Sequence, residues 1–303
     1  MKIKNFLKHL NNIDAVKNTD SVLNMVLQML LLIFLMFMHD NGYLSIFTPV
    51  VIVPAILFKE LRENKYIWSV LSVFGVIFYL ILDLQGYVPN HKHIFAYVIL
   101  MVTLSLFFKN KSTTIDFLKT QSKYIIGLCF LFAVIGKFLA PEFLNGSFFE
   151  FTNTSDPRFF GFSSIIGEID MGLLKQNEQN FNALLNTTNP KESFILNGAD
   201  KISSFGIIIS YWTIFIEGMI AISFCLPKRF LLAKYRNVFL VTFILTTYPI
   251  ATVTGFAIIL TTLGFIQSLN KENQLSIFSW FYLLVFILMP LNYFPFTRLL
   301  SLF

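Results

Sequence analysis

Two ionisable side chains fall inside apolar runs of the sequence. Lys137 lies within the run 124–140, close to its end, and Glu217 lies within the run 205–226. An ionisable residue in a membrane span is a functional-site candidate by default. Lys137 also has a plain structural role open to it, because a lysine near a span end can snorkel its ammonium to the headgroups. Glu217 is too deep for that and must pair, accept hydrogen bonds or stay protonated. Desolvation favours the neutral amine of a lysine, which can then serve as a base or nucleophile. Counted from the span ends, the two depths differ by about nine residues, roughly 13 Å at 1.5 Å per residue. A lysine side chain does not cover that distance, so separate roles are expected: Lys137 as the central catalytic residue, Glu217 as a structural or proton-handling carboxylate.

Other chemistry-bearing residues are sparse. His39, His91 and His93, with Asp40 and Asp83, fall in connections expected on one face. In an extended loop His91 and His93 can point the same way, but a metal site takes three or four ligands, so no metal is expected. The sequence has no HExxH, paired CxxC, Walker, GxGxxG or GxSxG motif. Cys129 and Cys225 sit in apolar runs and read as small buried residues. The stretch Asp156-Pro157-Arg158-Phe159-Phe160-Gly161-Phe162 reads as a Pro- and Gly-bounded turn with aromatics suited to a membrane surface. Within it, Arg158 can form a local ion pair with Asp156.

The elements that must position these residues follow from composition. Of 303 residues, 55% are hydrophobic, 13% are charged and 37 are Phe. A soluble globule carries about 25% charge, and the mean hydropathy here is +0.68. A soluble enzyme, a disordered tail and a disulfide scaffold are excluded, leaving an all-α polytopic membrane protein. Eight spans are expected, at 22–38, 43–58, 66–82, 94–108, 124–140, 205–226, 238–267 and 275–294, with seven or nine as alternatives. The second contains Pro49 and Pro54 and is expected to be kinked or partly unwound. The seventh is uncharged throughout and too long for a bilayer core of about 30 Å, so it must tilt, kink or fold back; Tyr248-Pro249 is the expected break. The chain divides into an amphipathic N-terminal segment at 1–20, five spans at 21–140, a polar segment at 141–204 and three spans at 205–303. The polar segment has too few periodic apolar residues to fold alone.

Lysine and arginine counts over the short connections alternate when the long segment 141–204 is set aside. The N-terminus has four, 39–42 none, 59–65 three, 83–93 one, 109–123 four, 227–236 four and 268–274 one. The positive-inside rule then puts both termini in the cytoplasm and 141–204 outside. The formal charge of +6 therefore reports orientation rather than an acidic partner, and the basic loops are explained without nucleic acid. Segment 141–204 carries eight acids and four bases, which favours a basic peptide as its partner.

The stretch 133–146, Ala-Val-Ile-Gly-Lys-Phe-Leu-Ala-Pro-Glu-Phe-Leu-Asn-Gly, resembles the HTTM domain family, which includes the membrane domain of the vitamin K-dependent gamma-carboxylases. The family commonly shows Lys-Leu followed by Trp-x-x-Gly at this point. Residues 156–161 look more like the sporulation-delaying-protein maturation branch (SdpB-like). The Glu217 span and the basic turn 227–236 also sit where the family places a Glu-bearing span and a basic turn. The resemblance covers roughly residues 20–290, with about thirty of them motif-like. It implies that Lys137 is a base acting at the outer face, with Phe143, Gly146, Asp156 and Arg158 near the substrate. It also implies a bacterial inner-membrane location, a quinone as the carboxylase cofactor, and, in the SdpB-like branch, maturation of a small exported peptide alongside co-encoded proteins. Three departures point away from quinone-driven carboxylation: 238–267 has no His, Phe143 stands for the usual Trp, and no large substrate-binding domain is present in these residues.

The leading expectation is a membrane protein that modifies or helps export a small peptide at the extracytoplasmic face. A transporter or channel built around Glu217 is the alternative from another class, resting on the Pro-interrupted spans, although no inverted repeat is evident. A non-catalytic scaffold or immunity partner, with Lys137 merely snorkelling, is the third.

Overall fold

A computed structural model describes residues 19–38, 42–84, 90–185, 196–251 and 253–291. Most of the N-terminal segment 1–20, His39, Asp40 and the C-terminal Arg298 lie outside the described residues. Every regular element among those described is helical: α1 (Thr19–Met38), α2 (Gly42–Leu57), α3 (Lys59–Arg62), α4 (Lys65–Leu84), α5 (Asn90–Ser105), α6 (Lys111–Phe138), α7 (Pro141–Leu144), α8 (Ser147–Ser155), α9 (Phe160–Ile166), α10 (Met171–Leu185), α11 (Ala199–Cys225), α12 (Leu231–Lys234), α13 (Arg236–Thr247), α14 (Thr254–Ser268) and α15 (Ile277–Leu288).

Short polar residues start several of these helices by accepting from orphan backbone N–H groups. Asn64 Oδ1 accepts from Tyr66 N, Asn110 Oδ1 from Ser112 N, and Asn145 Oδ1 from Ser147 N, each at 2.9 Å. Ser276 and Ser279 form a reciprocal capping box at the start of α15.

Among the described residues, three helices are long and apolar enough to cross a membrane: 19–37 in α1, α6, and 200–225 in α11. Five shorter helices are also apolar. Large apolar side chains face outward, among them Val50, Phe132, Leu139 and Ile208. Exposed apolar surface on long apolar helices indicates a lipid environment. Helix α2 is assigned without interruption past Pro49 and Pro54. The uncharged run 238–267 is two helices, α13 and α14, parted at Tyr248–Val253.

The chain forms two compact units: residues 1–126 with 254–290, and 127–253 with 291–303. This partition differs from the sequence-based one, because the polar segment 141–204 belongs to the second unit together with parts of the spans that flank it.

In the first unit, α14 is buried from Ala257 to Ser268, which is why that stretch tolerates no charge. Helix α1 buries Val22, Val26, Ile33 and Phe37 at helical spacing. A polar cluster gathers one end. Asp20 pairs with Lys59 and Lys111, Lys111 Nζ lies 2.7 Å from Glu63 Oε2, and the buried Arg62 donates to Asn24 Oδ1 at 2.9 Å and to the Ile56 carbonyl at 2.6 Å. Lys119 Nζ donates to the Asn270 carbonyl at 2.7 Å and to Asn273 Oδ1 at 3.0 Å, and Asn273 Nδ2 reaches Ser112 Oγ at 3.4 Å.

Those last contacts bear on where the two loops lie. Charge alternation put 268–274 opposite 109–123, whereas the structure holds the two loops together. At its other end α14 sets Gly255, in its first turn, against His91. The uncharged run counted as one span is two helices.

His91 and His93 also depart from expectation. Both lie in α5, where residues two apart point about 200° away from each other rather than the same way. Among the described residues no group of three or more potential ligands could hold a metal ion.

Candidate functional site

The second unit brings Lys137 and Glu217 together. Lys137 Nζ lies 2.7 Å from Glu217 Oε2, with the side chains 20% and 9% exposed. The expectation that a lysine side chain does not cover the distance between them is therefore overturned.

The helix register explains why. Helix α6 packs antiparallel to α11: Gly127 lies against Phe224 and Cys225, and Lys137 meets Glu217. Hydropathy placed the start of the span at 205, but α11 begins at Ala199 in polar sequence. Its first turns lie along α7 and α8 instead of facing the end of α6. A Cβ on Gly206 would stand 2.8 Å from the Gly146 carbonyl oxygen, and Ile209 packs on Phe143, Phe149 and Phe159. The level of α11 opposite Lys137 is therefore near residue 217, not 205.

Phe143 completes the pair's surroundings. It is buried, and Lys137 Nζ stands 5.3 Å from its ring centroid. A cation over an aromatic face gains about 0.5–2 kcal/mol, more where water is excluded. Phe143 in turn packs against Phe148 and Phe149, with centroids 5.4 and 5.2 Å away, and Phe149 packs against Phe159. Resemblance put Phe143 beside a substrate; its contacts here fix the Lys137 ammonium.

Gly146 has a packing role in this structure. Its φ is +84°, which glycine adopts freely, and a Cβ there would meet the Ile207 backbone nitrogen at 2.7 Å. The residue lets α8 approach α11 closely. Asp156 and Arg158 pair with each other, as the local ion-pair alternative held. Asp156 Oδ1 accepts from Arg158 N and Nε, both at 3.0 Å, capping the 3-10 turn Pro157–Phe159. The Asp156 carboxylate raises the guanidinium above its ordinary value, with partial burial opposing.

The described residues of the polar segment, 141–185 and 196–204, are a folded part of this unit. Phe160 and Phe162 of α9, Ile169, Leu174 of α10 and Ile202 of α11 form one buried cluster. Asn177 ties the segment together, donating to the Thr154 and Asn197 carbonyls at 3.1 and 3.0 Å. Ser163 is buried and donates to the Asn153 carbonyl at 2.6 Å.

Sequence reasoning missed one feature of the segment. Glu142, Ser147, Phe148, Glu150, Phe151 and Leu196 line an open cleft of about 410 Å³. Four of these lining residues fall on α8 and Glu142 lies on the adjacent α7, but Leu196 reaches the cleft only through the tertiary fold.

An ammonium and a carboxylate at 2.7 Å share one transferable proton. As an ion pair they compensate each other in apolar surroundings; with the proton on Oε2, the lysine becomes a neutral amine. The arrangement can hold a charge, pass a proton or present a base. Comparison with family models, with curated proteins and with solved structures gives no match for this chain.

Proposed function

We propose that this is a multispan protein of a bacterial inner membrane that matures a small exported peptide at the extracytoplasmic face, with Lys137 and Glu217 as its acid–base centre. The observation that carries this reading is the 2.7 Å pair, largely shielded and set over an aromatic ring. Glu217 takes the proton from the Lys137 ammonium, and the neutral amine then acts as base towards the peptide. Phe143 orients the ammonium, and helices α7 to α10 form the peptide-facing surface. The resemblance of 133–146 and 156–161 to the SdpB-like branch of the HTTM family supports this reading, as does the acid surplus of 141–204.

The topology belongs to the same proposal. The N-terminus and the loops 59–65, 109–123 and 227–236 lie in the cytoplasm. Both termini were expected there, but the contacts of Lys119 and Ser112 with 270–273 support α15 leaving from the cytoplasmic side. The uncharged run then counts as two membrane segments, giving nine, and α15 ends at the extracytoplasmic side.

The test is the mass of the exported peptide from a strain that makes it. Lys137→Ala and Glu217→Gln should each leave the precursor form. A fully mature product from both variants would overturn the proposal. A compensated charge pair between two long helices also suits a transporter. In that case Glu217→Gln would abolish a solute flux seen for wild type in proteoliposomes, with peptide mass unchanged.

A further inference from the structure

The cleft beside α8 has a chemistry of its own. Phe148 and Phe151 give it aromatic walls, Leu196 adds an aliphatic one, and Glu142 and Glu150 stand among the residues that border this largely apolar surface. Neither carboxylate is paired with a basic side chain among the described residues, whereas Asp156 nearby in sequence has its own arginine. At about 410 Å³ the cleft falls within the range of about 300–1,000 Å³ typical of small-ligand pockets. Its mixed lining matches one kind of ligand group, a cation on an apolar stem. Lysine and arginine lay their methylene stems along apolar surface while the charged head seeks anions, and an aromatic ring adds cation–π attraction.

The geometry points to this cleft as a binding site for a lysine or arginine side chain of the exported peptide. The cation meets Glu142 and Glu150, and the stem lies on Phe148 and Phe151. The inference rests on the peptide-maturation reading for the source of its occupant. The cleft also connects physically to the acid–base centre, since Phe148 packs on Phe143 at 5.4 Å and Phe143 carries the Lys137 ammonium. A basic residue seated here would hold the neighbouring part of the peptide near that centre.

The full chain in phosphatidylcholine nanodiscs tests this with two fluorescent tripeptide amides, each carrying one central residue between two phenylalanines. The central residue is lysine in one and glutamine in the other. The lysine peptide is expected to bind about tenfold more tightly, the scale of two partly exposed charge contacts. The double variant E142Q/E150Q should erase that preference while its thermal unfolding stays at wild type. Equal binding of the two peptides to wild type would overturn the inference, as would a preference that survives in the double variant. Loss of the preference in phosphatidylethanolamine discs would assign the cleft to a lipid headgroup and overturn it too. Maturation is scored separately by product mass, so a failure of this binding test is distinguishable from a failure at Lys137.

Discussion

Removing both members of the Lys137–Glu217 pair should destabilise the protein less than removing either one. At 2.7 Å and an effective dielectric of about 20, the gross attraction is about 6 kcal/mol. Desolvation of the two groups offsets most of it. Truncating one partner strands the other charge, which costs about 3–5 kcal/mol in a fully buried site. Glu217 is 9% exposed, so Lys137→Met, which strands it, should cost about 3 kcal/mol. Lys137 keeps 20% exposure and can turn towards water, so Glu217→Leu should cost only about 2 kcal/mol. The double variant Lys137→Met/Glu217→Leu leaves no charge and should lie within about 1 kcal/mol of wild type. Equilibrium unfolding by SDS titration in mixed micelles gives all three values. A double variant whose cost equals the sum of the singles within about 0.5 kcal/mol would refute the coupling.

Two further outcomes follow from the packing and the loops. Gly206→Ala should destabilise by about 2–3 kcal/mol, because the new Cβ would sit 2.8 Å from a backbone oxygen that cannot rotate away. Gly218→Ala, one residue from Glu217, meets no heavy atom within 4 Å and should be neutral or stabilising by up to about 1 kcal/mol; equal losses in thermal unfolding would refute the α8–α11 contact. For sidedness, single cysteines at Ser112, Lys175 and Lys271 can be labelled in a chain with Cys129 and Cys225 changed to alanine. Lys175→Cys should react in intact cells, and Ser112→Cys and Lys271→Cys only after permeabilisation. Reaction of Lys271→Cys from outside would restore the simple charge alternation.

The helical, membrane-bound character was legible because it rests on bulk composition and on apolar runs, which need no tertiary information. Lys137 and Glu217 were legible for a related reason: a charge in an apolar run is conspicuous. Their pairing was not. Hydropathy finds where apolar sequence begins, and α11 begins six residues earlier, in Ala199-Asp200-Lys201-Ile202-Ser203-Ser204. The depth count also assumed that polar residues 141–155 stand clear of the span, whereas Gly146 and Gly206 let α8 lie against it. The break at Tyr248-Pro249 was visible as a proline in an overlong run. The cleft escaped notice because Glu142 and Leu196 lie 54 positions apart and meet only in the fold.

The most direct test of the acid–base centre is Lys137→Arg in a strain producing the cognate peptide, read by the mass of the exported product. Arginine keeps the positive charge and can still pair with Glu217, so the protein should fold and reach the membrane as wild type does. Its guanidinium does not give up a proton at any physiological pH, so the peptide should leave unprocessed. Fully mature peptide from this variant would contradict a proton-transferring lysine and reduce the pair to a link between two helices.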